Sequence, residues 1–214
     1  MSRPALCPRC DGPLRAPDLW SSEWRCERHG PVVPWHAGAH VVPEALHQVA
    51  RQAGVPVWSV WPAPPGWTLA GHGHCGDDRG PHAATAVAFA GPAPLGGLAE
   101  LVLVAEEPGV GLGARFAGVD AVDPGLPLGG AEEKIIVAGH DTPLWRCETP
   151  ADRTAYVGEA GGVWLWAVLW PADAGYLLLE HVELVDLREE PARLAPAGAP
   201  SPRLRETGTG PAGP

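Results

Sequence analysis

Apolar residues recur with two different periods along this chain, and the change of period divides it. Between Pro43 and Gly54, Leu46, Val49, Ala50 and Ala53 fall at i, i+3, i+4 and i+7, the spacing of one helix face. Pro43 opens that segment and Gly54 closes it, the usual asymmetry of helix ends. Beyond it the pattern shortens to strand-like runs. VPVWSVW (55–61) is apolar on both faces, as in a buried strand. ATAVAFA (84–90) and LAELVLVAEE (98–107) follow, separated by the turn-rich GPAPLGG. KIIVA (134–138) is a further short run. TAYVGEAGGVWLWAVLW (154–170) reads as a hairpin turning at GEAGG. Trp164, Trp166, Val168 and Trp170 share one face of its second strand, a face expected in the core. GYLLLEHVELVDLRE (175–189) fits one or two strands better than a helix.

Three stretches lie outside this pattern. Residues 1–36 form a module of their own. The connection 109–133 is long and glycine-rich, a length usual for functional or mobile loops. From about Ala195 the chain is Ala, Pro, Gly and a few charges, expected to be a disordered tail over 195–214. The predicted class is α+β, mostly β: a small metal module (1–36) followed by a mixed, mainly antiparallel β domain with one clear helix (37–194). No internal repeat is visible.

Composition supports this and narrows the function. Of 214 residues, 45% are hydrophobic, enough for a core, and Gly 28 and Pro 26 favour short segments over long helices. Lys134 is the only lysine and asparagine is absent, a usage pointing to a high-GC bacterial genome. The net charge is −10, with the first 30 residues at +1 and the remainder at −11. An acidic body argues against nonspecific binding to nucleic acid or an anionic membrane, since both need a basic face. No apolar stretch resembles a signal peptide or is long enough to cross a bilayer. Five cysteines without an export signal predict reduced thiols and a cytoplasmic location.

The conspicuous chemistry is CPRCDGPLRAPDLWSSEWRCERHG, Cys7 to Gly30. Tetrahedral zinc takes four thiolate or imidazole ligands, and two ligands separated by two residues make one knuckle. Cys7 and Cys10 form the first knuckle; Cys26 and His29, after a gap of 15 residues, form the second. Redox use of Cys7 and Cys10 would need a helix after the first cysteine, which Asp11-Gly12-Pro13 does not continue, and an iron–sulfur cluster prefers four cysteines. The expectation is one structural Zn²⁺ per chain. About 30 residues cannot build a sufficient core alone, and structural zinc supplies ~10–16 kcal/mol in small peptides. Arg9, Arg25 and Arg28 beside the ligands could help hold the thiolates ionised, and Trp20 and Trp24 are expected to cover the site.

CPRC and CERHG resemble the two knuckles of a zinc ribbon, with His29 where many ribbons have cysteine. The resemblance covers roughly the first 35 residues. It implies a nucleic-acid contact, a protein-docking piece or a folding staple, without choosing among them. The stretches GPAPLGGLAELVLVAEEPGVGLGARFAG, HDTPLW and DRTAYVGEAGGVWLWAVLWPADAGYLLLE resemble an uncharacterised family of high-GC Gram-positive bacteria.

Other clusters carry weaker signals. In EEPGVGLGARFAG (106–118), Glu106 and Glu107 end a strand, and Gly109, Gly111 and Gly113 could let backbone N–H groups approach an anion that Arg115 would pair with. The spacing fits a dinucleotide pattern but lacks the βαβ unit, so a tight structural loop is the competing reading. GHGHCGDDRGPH (71–82) holds His72, His74, Cys75, Asp77, Asp78 and His82, either a polar loop or a second metal site. Cys75 or Cys147 as nucleophile, with His140 and Asp141 as base and orienter, would need all of them brought together. Two functions follow: a zinc-containing binding or adaptor protein for an unknown protein or small ligand, or an enzyme or sensor of an anionic small molecule acting through residues 106–118. Nucleic-acid binding ranks below both.

Overall fold

The computed structural model describes residues 5–38, 41–124, 129–179 and 182–204. The predicted class holds: strands account for 38% of the chain and helices for 14%. In the N-terminal module, β1 (Arg25–Cys26) and β2 (Gly30–Pro31) make a two-stranded hairpin. The larger sheet contains β3 (Trp35–Ala37), β4 (Trp58–Val60), β5 (Thr68–Cys75), β6 (Ala84–Pro92) and β7 (Leu98–Glu106). Its second half supplies β8 (Glu133–Val137), β9 (His140–Arg146), β10 (Thr154–Ala160), β11 (Val163–Trp170) and β12 (Glu183–Asp186). The order is β3-β5-β6-β7-β11-β10-β9-β8-β12-β4, antiparallel throughout except where β12 meets β8. The sheet rolls over: β4, last in the order, lies across β6 and β7, and Thr85 Oγ1 donates to the Pro56 carbonyl at 2.6 Å.

Both faces of the central strands are covered, which is why they read as unbroken apolar runs. On β7, Leu101, Leu103 and Ala105 enter the interior core with Phe89, Leu165 and Leu169. Val102 and Val104 point the other way, into a second core with Trp35, Leu112, Phe116, Trp166, Val168 and Trp170. The tryptophan face of the hairpin is therefore core, as expected, and not a docking surface. Helix α1 (Pro43–Gln52) buries Leu46, Val49 and Ala50, matching the predicted face. Helix α2 (Leu112–Ala117) packs on β7 and β11 over the second core.

Several expectations are corrected. The hairpin turn is only Gly161-Gly162, both at positive φ (64° and 78°), because Ala160 pairs with Val163. Residues 71–75, read as loop, belong to β5. Their alternating Gly and His hide the strand, since Gly73 and Gly71 leave space on the outer face for Trp35 and Leu204, where a Cβ would meet side-chain atoms at 2.2 and 2.9 Å. HDTPLWR, which the sequence offers as a base and orienter (His140 and Asp141) without a predicted element, is β9. Ala172–Leu179 is a 3₁₀ helix, not a strand. Pro171 cannot donate to a ladder, and Ala174 and Leu177, three apart, both enter the interior core. The first part of the expected tail is ordered: Leu69 bridges Ala197, Ala195 and Leu204 are buried, and Pro202–Leu204 is a 3₁₀ turn. Residues 205–214 lie outside the described residues.

Candidate metal centre and the loop it contacts

The first knuckle is closed by its own backbone. The Cys7 N–H donates to the Gly12 carbonyl at 2.8 Å, and the Asp11 N–H donates to the Cys7 carbonyl at 2.9 Å. The second knuckle is the β1–β2 turn, where Cys26 pairs with Gly30. Arg15 and Arg25 exchange backbone hydrogen bonds and hold the two halves together. Cys7 Sγ lies 3.4 Å from His29 Nδ1, Cys26 Sγ 3.6 Å from the same nitrogen, and Cys10 Sγ 3.7 Å from Cys26 Sγ. A tetrahedral ion with metal–sulfur bonds of ~2.3 Å and a metal–nitrogen bond of ~2.0–2.1 Å places sulfurs ~3.8 Å apart and sulfur and nitrogen ~3.6 Å apart. The four ligand atoms, all within 4.8 Å of one another, fit that polyhedron. Among the described residues no other group of three or more Cys, His, Asp or Glu comes together in this way.

The electrostatics suit a cation. Burial pushes the Cys7 thiol up to about 12, so this sulfur ionises only against a positive charge that offsets the desolvation. Burial, then the Arg9 and Arg28 guanidinia, lower the pKa of His29, which favours the neutral imidazole a metal needs. The expectation that Trp20 and Trp24 cover the site is corrected for Trp20. The Asp18 carboxylate accepts the Trp20 and Ser21 N–H groups at 2.8 and 2.9 Å, a turn that holds Leu19 and Trp20 outward at 99% and 94% exposure. Trp24 lines a cleft between the module and the β domain.

The glycine-rich loop 106–118 sits against this module. Glu106, at the end of β7, is 1% exposed, and its two oxygens accept the N–H groups of Leu112 (2.6 Å) and Gly113 (3.1 Å). Burial raises its pKa to about 7, opposed by those two hydrogen bonds and by the Trp166 indole facing it. Glu106 thus caps α2, a helix that has no capping side chain of its own at Gly111. The Gly109 N–H donates to Asp123 Oδ1 at 2.8 Å. Gly113 meets the Trp166 indole, where a Cβ would come within 2.1 Å, so this glycine serves close packing. Arg115 pairs with Asp11 and lies over the Trp35 and Phe116 rings at 5.4 and 4.6 Å. The loop carries Glu106, Gly109, Gly111, Gly113 and Arg115, and the N–H groups of Leu112, Gly113 and Gly109 together with Arg115 Nη1 are engaged by this chain's own carboxylates.

The sequence treated the knuckles and this loop as separate features. In the fold they touch: Arg9 donates through Nε to the Val110 carbonyl at 3.2 Å and through Nη2 to the Gly109 carbonyl. Beside that contact runs the cleft, about 580 Å³, whose lining includes Arg9, Trp24, Arg79 and Glu107. No short-range pattern encodes these pairings; the only hint is that charged residues flank Cys10 on both sides.

The remaining clusters stay apart from any common centre. His74 pairs with His36 across β5 and β3, with ring centroids 5.3 Å apart, and stacks on His82 at 3.8 Å. Burial, then the neighbouring histidines His82, His36 and His72, hold the His74 pKa down at about 3. Cys75 faces the second core and is fully buried, its thiol pushed well above the ordinary range. Burial raises Cys147 to about 11. His140 opens β9 and Cys147 lies just past its end, roughly 23 Å away along a strand, while Asp141 pairs with Lys134 at 2.5 Å. No nucleophile–base pair forms from these residues. Among the described residues, no helix is long and apolar enough to cross a membrane.

Residues 1–204 match the model of a family described as a family of unknown function (DUF6758). No curated protein and no solved structure matches the chain.

Proposed function

The chain belongs to this family of unknown function, and from that starting point we propose that it is a cytoplasmic binding or adaptor protein whose Cys7-Cys10-Cys26-His29 site holds one structural Zn²⁺. The observation that carries the reading is the closed ligand set: four protein ligands at tetrahedral spacing leave no coordination position for substrate. Zinc suits three thiolates and one imidazole better than a hard cation such as Mg²⁺. The metal folds the module, and the module presents Leu19 and Trp20 to a partner protein. Exposed large apolar side chains held on a rigid turn give contact area at low entropic cost.

Less supports a sensor or enzyme acting on an anion through residues 106–118. The loop's N–H groups already serve Glu106 and Asp123, and Arg115 already serves Asp11.

Metal analysis of the purified chain is expected to find one zinc, lost in Cys7→Ser. For the adaptor role, wild type and a Leu19→Ala/Trp20→Ala double variant are compared for proteins captured from the native cell by quantitative mass spectrometry. A partner retained by wild type and lost by the metal-loaded variant supports the reading. Identical captures would sink it.

A further inference from the structure

Arg9 stands between the first two metal ligands and Asp11 directly follows the second, and both reach away from the site into the β domain. Arg9 engages the Gly109 and Val110 carbonyls; Asp11 accepts from Arg115. Their aim is set by the knuckle. Asp11 is held at φ 59°, the left-handed region, uncommon outside glycine although Asp is among the residues that enter it. The turn around it is closed by the Cys7–Gly12 and Asp11–Cys7 hydrogen bonds, and an ion joining the Cys7 and Cys10 sulfurs would brace that turn. On the receiving side, the Arg115 side chain is only 15% exposed, and its Nε has no partner of its own. Among the described residues Asp11 is the carboxylate paired with this guanidinium, which otherwise lies over the Trp35 and Phe116 rings.

We propose that metal occupancy of the Cys7-Cys10-Cys26-His29 site controls the docking of the N-terminal module on the 106–118 loop, so that loss of the metal opens the cleft between them. This rests on the reading of those four side chains as a zinc site. It adds that the site transmits its state to the far side of the cleft through Arg9 and Asp11. Linkage makes the effect reciprocal: a contact strengthened by the metal strengthens metal binding in turn.

The test is amide hydrogen exchange on the full chain, metal-loaded and chelator-treated, with metal content measured in parallel. Chelation is expected to speed exchange in 7–35 and in 109–118 by about tenfold or more, while 98–104 and 163–170 stay protected. Asp11→Ala is expected to keep its metal in buffer, to exchange in 109–118 as fast as the chelated wild type, and to yield zinc to a competing chelator about fivefold more readily. Protein that retains no metal after incubation with zinc overturns both the zinc reading and this inference. If metal is bound and chelation speeds only 7–35, or Asp11→Ala leaves loop exchange and zinc affinity unchanged, the coupling is refuted and the zinc reading stands. If chelation also deprotects 98–104 and 163–170, the metal supports the whole fold, and the specific coupling is refuted.

Discussion

The knuckle segment 7–29 and the segment 71–82 each gather cysteine, histidine and aspartate, yet only the first brings its ligand atoms close enough together to hold a metal ion. In the first, tight turns reverse the backbone within each pair and aim four ligand atoms at one point. In the second, residues 71–75 are extended strand and 76–82 a turn beyond it. His72 and His74 lie on one face of β5, Cys75 lies on the other, and the rings of His36, His74 and His82 stack instead of converging. Ligand chemistry is therefore worth little without turn geometry: a strand sets side chains in rows, and rows of imidazoles pack.

The comparison breaks most visibly at the knuckles. Cys26→Ser is expected to drop metal content from one per chain to near zero and to unfold the module, since the apparent stabilisation at stake is on the order of 10 kcal/mol. The check is metal analysis with near-ultraviolet circular dichroism. A smaller effect comes from the histidine row. His74→Ala is expected to leave metal stoichiometry unchanged and to cost about 2–3 kcal/mol through the cavity it opens, read by urea denaturation. A stoichiometry that falls with this substitution would erase the distinction between the two regions.

The pH dependence sharpens it further. The His74 pKa is depressed to about 3 and those of His36 and His82 are also lowered, so their contribution is present above the ordinary value near 6.5. It is lost as pH falls towards 3. Glu106, raised to about 7, has the opposite sign: its contribution is present below about 4.5 and is lost as pH rises to 7. Between pH 4.5 and 6.5 the two oppose. Glu106→Gln is expected to steepen the rise of stability with pH in that window, and His74→Gln to flatten it, measured as urea midpoints. The smallest effect is at the exposed turn, where Trp20→Ala is expected to shift stability by no more than about 0.5 kcal/mol.

Local signals made much of this legible. The helix at 43–52, the strands at 84–92, 98–106 and 163–170 and the four metal ligands all announce themselves by period or spacing within a short window. What escaped depends on contacts between distant residues. The strand at 68–75 is disguised because two of its outer positions are glycines that make room for Trp35 and Leu204. The order of residues 195–204 comes from pairing with Leu69 and Ala70, which no Ala- and Pro-rich composition reveals. The occupation of the glycine loop follows from Glu106 at its own start and from Asp123 and Asp11 reaching in from outside it. The glycines and Glu106 are visible in the sequence; that Glu106, Asp123 and Asp11 occupy the loop's donors is not.

The position of α2 on β7 and β11 also has a meaning for synthesis. The knuckles leave the ribosome before β7 and β11 and could close on a metal ion as soon as they emerge. The surface they dock on is unfinished until β11 has been made and paired with β7, on the order of ten seconds later at ordinary translation rates. For that interval the module is a folded piece without its counterpart, and Arg9 and Asp11 wait on water. The knuckles are thus made before the surface they dock on, which waits for β11 to pair with β7.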